Sequence, residues 1–204
     1  MAGSESQSLM VKPFSQACEN NQEPILAILR EAFVSRKKIL EIGSGTGQHS
    51  VYFAPRLPHL VWQTSDMPVN HRGIHQWIDE YPSDNLRKPL SFTIGQDTFP
   101  CQVDGVFTAN TAHIMLPDRV QLMMQLVAQH LPNGGVFCQY GPFNVDGRFT
   151  SDSNATFDAA LRGQGMGGIR DIAELISWAE PFGLNLQKRH GMPANNMLLE
   201  WHKS

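Results

Sequence analysis

Residues 39–54, ILEIGSGTGQHSVYFA, carry an apolar run into three alternating glycines and on into a helix-like pattern closed by Pro55. A strand, a glycine turn and a helix in that order bring backbone amides to a helix N-terminus, where they can cradle a ligand. The phosphate-binding versions of this turn do not fit. A GxGxxG turn would place its third glycine at position 48, which is Gln, and a GxxxxGK[ST] loop needs a lysine that is absent here. Glu41 instead stands two residues before the first glycine. A pyrophosphate about 4 Å from an ionised Glu41 would be repelled by ~4 kcal/mol at an effective dielectric near ~20. S-adenosylmethionine carries a sulfonium and an ammonium and no phosphate, so the sign reverses. The loop reads as a pocket for that cofactor rather than for a nicotinamide.

Outward from this loop the chain alternates. KKILEI is followed by a helix through Ala54, and HLVWQTSD forms a second strand ending at Asp66. HRGIHQWIDEY is amphipathic, PLSFTIGQD reads as a third strand ending near Asp97, and VDGVFTAN is a fourth. DRVQLMMQLVAQHL is a helix stopped by PNGG, and GVFCQYG is a fifth strand. Upstream, QEPILAILREAFV (22–34) has helical spacing, with Pro24 placed in its first turn. Strands alternating with helices over short connections predict a parallel sheet covered on both faces. After Tyr140 a long polar connection, GPFNVDGRFTSDSN, reads as a cover. A helix follows at 154–162, then IRDIAELISWAEPFG as another, and two closing strands joined by MPAN pair antiparallel.

Ligands of open α/β sheets bind beyond the carboxyl ends of the strands. There the sequence places Glu41, Asp66 and Asp97, with no basic residue among them. Glu41 with Gly43, Ser44, Gly45 and Gly47 is expected to hold the methionine part of the cofactor. Asp66 would accept the ribose hydroxyls, Asp97 the adenine amino group, and Asn110 would wall the pocket. The alternatives are a helix cap for Asp66 and plain turn chemistry for Asp97.

Composition sets the outer bounds. A net charge of −3 gives no footprint for general nucleic-acid or anionic-membrane binding. Cys18, Cys101 and Cys138 form no CxxC pair and suit a reducing, cytoplasmic compartment. The start, MAGSESQS, lacks the basic and apolar regions of a secretory signal. No run of about 18 apolar residues predicts a membrane span. Residues 1–10 read as a disordered tail and 11–204 as one domain, monomeric or homodimeric. His71 and His75 lie i, i+4 on a helix without a third ligand nearby, so no metal site is expected.

The layout resembles class I S-adenosylmethionine-dependent methyltransferases. A closer resemblance, spanning nearly the whole chain, rests on ACENNQEPIL, LEIGSGTGQH, WQTSD, NTAHI, YGPFNVDGRFTSDSNATFD, GIRD and MPANN. These stretches are similar to the methyltransferase-like 26 family (domain of unknown function 938). The resemblance implies a Rossmann-like, seven-stranded, mostly parallel sheet with helices on both faces and its last strand antiparallel. It brings no established substrate. The place after strand four reads NTAHI (110–114), without the Asn/Asp-Pro-Pro-Tyr/Phe element found in many methylases of planar amines. Nucleic-acid N-methylation is thereby disfavoured.

His113 follows strand four, where acceptors approach the methyl group in this architecture, and an imidazole suits a general base there. A structural hydrogen-bonding role is the alternative. Asn154 and Asp158, four apart on one helix face, are grouped with Tyr140, Arg170 and Asn195 as an acceptor pocket, with Arg170 able to clamp a carboxylate. The competing arrangement pairs Asp158 with Arg170 and leaves Asn195 to the turn. Lys12, Ser15 and Asn20 would be lid contacts. The function expected is methyl transfer from S-adenosylmethionine to a small molecule, leaving S-adenosylhomocysteine. A protein methyltransferase and a non-catalytic cofactor-binding regulator are the rivals.

Overall fold

A computed structural model describes residues 11–204, so the tail expected for residues 1–10 lies outside the described residues. Seven strands form one sheet in the order β3-β2-β1-β4-β5-β7-β6. They are β1 (Lys38–Ile42), β2 (Val61–Asp66), β3 (Leu86–Ser91), β4 (Gly105–Ala109), β5 (Val136–Gly141), β6 (Leu184–Met192) and β7 (Asn196–Lys203). The first five pair in parallel. β7 runs antiparallel between β5 and β6. The chain reverses into β7 through a tight turn in which Asn196 N–H donates to the Pro193 carbonyl at 3.3 Å. Ala194 and Asn195 take φ of +57° and +58° in that turn, as a type I′ hairpin requires.

Burial explains why these segments are strands. β5 is buried at every position, as a central strand covered on both faces must be. β3 is an edge strand, and its exposed Arg87 and Lys88 protect that edge. Beneath one face pack α1 (Gln16–Ala32), α2 (Gln48–Arg56) and α3 (Pro68–Glu80), around Leu26, Phe53, Trp62, Ile74 and Phe107. Beneath the other lie α4 (Pro117–His130) and α6 (Ile172–Ala179), around Val106, Met123, Phe137, Leu175 and Trp201. α5 (Asp152–Gly163) follows the long polar connection, and its buried Asn154 donates to the Asn195 carbonyl of the hairpin turn at 3.2 Å. Among the described residues no helix is long and apolar enough to cross a membrane.

Of the boundaries that differ from the sequence expectation, two bear on the site. β3 stops at Ser91, because the chain then closes a turn in which Asp97 Oδ2 accepts from Thr93 N–H at 2.7 Å. α1 begins at Gln16 rather than Gln22, since Ser15 Oγ caps it by accepting from Cys18 N–H at 3.3 Å. Pro24 therefore lies inside the helix, not in its first turn. Without an N–H it leaves the Asn20 carbonyl lacking its usual i+4 donor.

Candidate active site

The fold reverses strand order between β1 and β4, and the crevice at their carboxyl ends is where the glycine loop sits. Gly43 and Gly47 have φ of +69° and +93°, a region that costs other residues about 1–2 kcal/mol. A Cβ on Gly43 would lie 2.9 Å from Thr111 Cγ2, and one on Gly47 would lie 3.2 Å from Ile74 Cα. The third glycine thus lets α2 approach α3, while the first opens the crevice. Ser44 ties the loop to β2: its N–H donates to the Ser65 carbonyl at 2.9 Å, and its Oγ accepts from Ser65 N–H at 3.1 Å.

A cavity of about 440 Å³ opens beside the loop, within the ~300–1,000 Å³ range of small-molecule sites. Gly43, Gly45, Asp66, Thr93 and Asn110 line it, so four of the expected cofactor residues meet there. Asp66 closes the arrangement. Its Oδ2 accepts from Gly45 N–H at 2.7 Å, and its Oδ1 accepts from Met67 N–H at 2.7 Å and Asn70 Nδ2 at 2.9 Å. A carboxylate offers about four lone-pair directions, so roughly one stays free for a ligand hydroxyl. The helix-cap alternative is not realised: the N-cap of α3 is Met67 without a side-chain cap, and Asp66 touches the helix start only through Met67 N–H and the Asn70 side chain while it faces the cavity.

The other expected contacts lie behind the walls. Ser44 and Gly47 build the loop without lining the cavity, and Asp97 closes its own turn. Thr93 and Ile94, fixed by that turn, present the surface instead. Arg119, from α4, also lines the cavity, with its guanidinium against Gly95. The site thus holds one cation that the sequence reading missed, reaching from α4 to the loop after β3 and not from the glycine loop.

Glu41 departs furthest from its expected role. It is only 2% exposed, and its Oε1 accepts from Ser50 Oγ and from Trp62 Nε1, the latter at 3.3 Å. Burial pushes its carboxyl above the ordinary carboxylate range, against the hydrogen bonds from Ser50, Ser44 and Trp62. A folded-state value above the unfolded one means stability is fully present below about pH 4.3 and is lost as pH rises through the folded value. Glu41→Gln keeps an acceptor for Ser50 and Trp62 and cannot ionise. Its melting temperature is expected to equal or exceed wild type at pH 8, with the difference shrinking towards pH 4. Its affinity for S-adenosylhomocysteine should change by less than about threefold. Thermal melts and calorimetry check both, and a tenfold loss of affinity would return Glu41 to the cofactor site.

Gln48, at the position of the missing third glycine, has a different task. Its Oε1 accepts from Ser15 N–H at 2.6 Å, while Nε2 donates to the Ser15 carbonyl at 3.2 Å and to Glu19 Oε1 at 3.0 Å. The N-terminal segment is thereby strapped over the loop. Trp77 Nε1 holds it further by donating to the Pro13 carbonyl at 2.7 Å. Lys12 pairs with Glu80 and sits 3.6 Å over the Trp77 ring, away from both cavities.

A second cavity, of about 580 Å³, lies across the loop after β4 and shares Asn110 and Ile114 with the first. Ser15, Asn20, His113, Tyr140 and Asn154 line it. Asn21 and Asn196 join them, and their amides partly offset the burial that raises the Tyr140 pKa. Asn21 is itself fixed by His49 Nε2 at 2.6 Å from its Oδ1. His113 is 5% exposed, stands edge-on to Phe157 with ring centroids 5.5 Å apart, and its Nδ1 has no partner. Burial lowers its pKa to about 4, so the ring is neutral at physiological pH. A Cβ on Gly141 would lie 3.8 Å from both His113 Nδ1 and Asn110 Oδ1, in ordinary contact with each.

Asp158, Arg170 and Asn195 do not line this cavity. Asp158 accepts from Arg162 Nε at 2.8 Å and from Ile169 N–H at 2.8 Å, not from Arg170. Arg170 is 5% exposed and donates to the Gly167 and Gly168 carbonyls at 2.9 and 3.3 Å, with Glu174 at 3.3 Å. No carboxylate clamp is available from it. Asn195 supports the floor through its carbonyl, which accepts from Asn154. The signal for Asn21 and Asn196 was present in ACENN and MPANN, but each run offers two asparagines and only the fold picks between them.

A family model described as a protein of unknown function (DUF938) matches residues 12–203. Among solved structures, the chain is similar to the S-adenosylmethionine-dependent methyltransferase SibL in its apo form, with a TM-score of 0.76 and 20% identity over 92% of this chain and 55% of that one. An O-methyltransferase family 2 protein from Planctomyces limnophilus, in complex with apigenin, gives 0.80 and 15% over 92% and 58%. Human N-acetylserotonin methyltransferase in complex with SAM gives 0.79 and 12% over 92% and 53%. The chain spans a little over half the length of these proteins. Their shared seven-stranded architecture is the class I methyltransferase fold.

Proposed function

We propose that this chain, which belongs to the DUF938 family, transfers a methyl group from S-adenosylmethionine to a small molecule, with residues 11–204 acting as one domain. The narrower resemblance to methyltransferase-like 26 sequences is part of the same proposal. The observation that carries it is the position of Asp66, a carboxylate on the wall of the glycine-loop cavity that accepts from Gly45 N–H, in a loop that itself contains no lysine or arginine. Asp66 suits a ribose hydroxyl there, and the one cation on the wall, Arg119, stands against Gly95 in the loop after β3. Bound there, S-adenosylmethionine would supply an electrophilic methyl on a sulfonium. Gly43 and Gly45 would leave room for its backbone-sized end, Asp66 would take a ribose hydroxyl, and Thr93 and Ile94 would pack the base.

The second cavity supplies the acceptor side. Asn110 and Ile114 border both cavities, so an acceptor there would face the donor across one short loop. An acceptor hydroxyl forming its bond to the methyl carbon, as the carbon–sulfur bond breaks, would lose its proton to the neutral imidazole of His113, which lines the cavity and whose Nδ1 is buried and unpartnered. The protein-methyltransferase rival needs a groove long enough for a peptide, whereas this space is about 580 Å³, within the ~300–1,000 Å³ range of small-molecule sites. Calorimetry tests the cofactor reading. S-adenosylhomocysteine should bind saturably to one site and NADH should not; NADH saturation without competition from adenosyl ligands would overturn it.

A further inference from the structure

The second cavity is polar without being charged. Asn20, Asn21, Asn110, Asn154 and Asn196 reach its wall, together with Tyr140 and His113, and no aspartate, glutamate, lysine or arginine lines it among the described residues. We infer that its occupant is an uncharged small molecule of the amide or hydroxyl class, carrying hydrogen-bond donors and acceptors together and excluding carboxylates, phosphates and ammonium ions. This names the acceptor class of the methyl-transfer reading and rests on it for the word acceptor, while the selection itself is a property of the cavity.

Three observations support it. First, a carboxamide side chain presents both an acceptor oxygen and two donors, so an array of them matches mixed donor–acceptor ligands. Second, the ionisable groups on the wall are held neutral. Burial raises Tyr140 above the ordinary phenol range and lowers His113 to about 4. Third, the nearby charges are engaged elsewhere. Asp158 holds Arg162 and Ile169, and Arg170 holds the carbonyls of Gly167 and Gly168. A charged ligand entering this space would give up water without gaining a counter-ion. Pro142, Pro193 and Phe157 add apolar surface suited to a ring.

The test uses one ring in three charge states. Benzamide, benzoate and benzamidinium are titrated into the full chain, with and without S-adenosylhomocysteine, and read by the side-chain amide signals of Asn154 and Asn196. Benzamide is expected to bind at least about tenfold tighter than either ion. Asn20→Asp, at an exposed position of α1 that places a carboxylate on the wall, should shift the preference towards benzamidinium. Equal binding of the three, tighter binding of an ion to wild type, or no binding of benzamide overturns the inference. Discrimination without any binding of S-adenosylhomocysteine would uphold the uncharged cavity and reject the cofactor reading. The reverse would reject the inference alone.

Discussion

Asp66→Ala is expected to weaken S-adenosylhomocysteine binding by at least about tenfold, the equivalent of one charged hydrogen bond of ~1.5–3 kcal/mol. The loss has two sources. The ligand hydroxyl loses its carboxylate acceptor, and Gly45 N–H loses the partner that fixes the loop at 2.7 Å. Asp66→Asn separates charge from geometry. An amide has one oxygen, so it can accept from Gly45 or from Met67 and Asn70, not from both sides as the carboxylate does. Its NH₂ would face a donor on the other side. The asparagine variant should therefore bind nearly as weakly as the alanine variant. Calorimetry on protein shown by thermal melting to be folded checks this. Wild-type affinity in folded Asp66→Ala would remove the residue from the site, and with it the observation on which the cofactor assignment stands.

The contrast with Glu41 shows where sequence reading stops. Both are acids at the ends of neighbouring strands, and nothing local distinguishes them. Their environments do: Asp66 opens to the cavity at the edge of the loop, whereas Glu41 is turned under α2 against Ser50 and Trp62. Asp97 has a third fate, closing a turn on Thr93. Strand identity was legible because β1, β4 and β5 are apolar runs bounded by turn residues, and their alternation with helices leaves few topologies. Side-chain direction at a strand's last residue depends on where the chain bends next, which no period records.

The second cavity was the less legible part, for a reason of distance along the chain. Its wall joins the start of α1, the loop after β4, α5 and the β6–β7 turn, segments that meet only through the sheet order. The sequence singles out Tyr140, Asn154 and His113 because each ends or follows a strand or lies in the long connection. Arg170 seemed an attractive anion clamp as a residue type, yet the tight chain at Gly167 and Gly168 brings two carbonyls onto its guanidinium. A buried arginine is satisfied first by what lies nearest. Gln48 shows the converse: a residue noted for what it failed to be proves to be the fastening of the N-terminal segment.

His113→Ala is expected to reduce kcat by about a hundredfold on a hydroxyl acceptor, the low end of the ~10²–10⁴ range for a positioned base. The low end follows from basicity. Burial holds the ring near pKa 4, which keeps it unprotonated at pH 7 but makes it a weak acceptor of the hydroxyl proton. The pH profile separates this role from a structural one. If His113 is the base, kcat/KM should stay level from pH 7 down to about 5 and fall only towards the lowered value, with no step near the ordinary imidazole value of about 6.5. Affinity for S-adenosylhomocysteine should stay within about twofold, because His113 lines the second cavity and not the first. The acceptor for the assay comes from screening release of S-adenosylhomocysteine over uncharged phenols and hydroxylated amides. Unchanged kcat would assign the proton to water. A parallel loss of cofactor affinity would make His113 a structural prop of the loop after β4, whose carbonyl already accepts from Gly168 N–H at 3.1 Å.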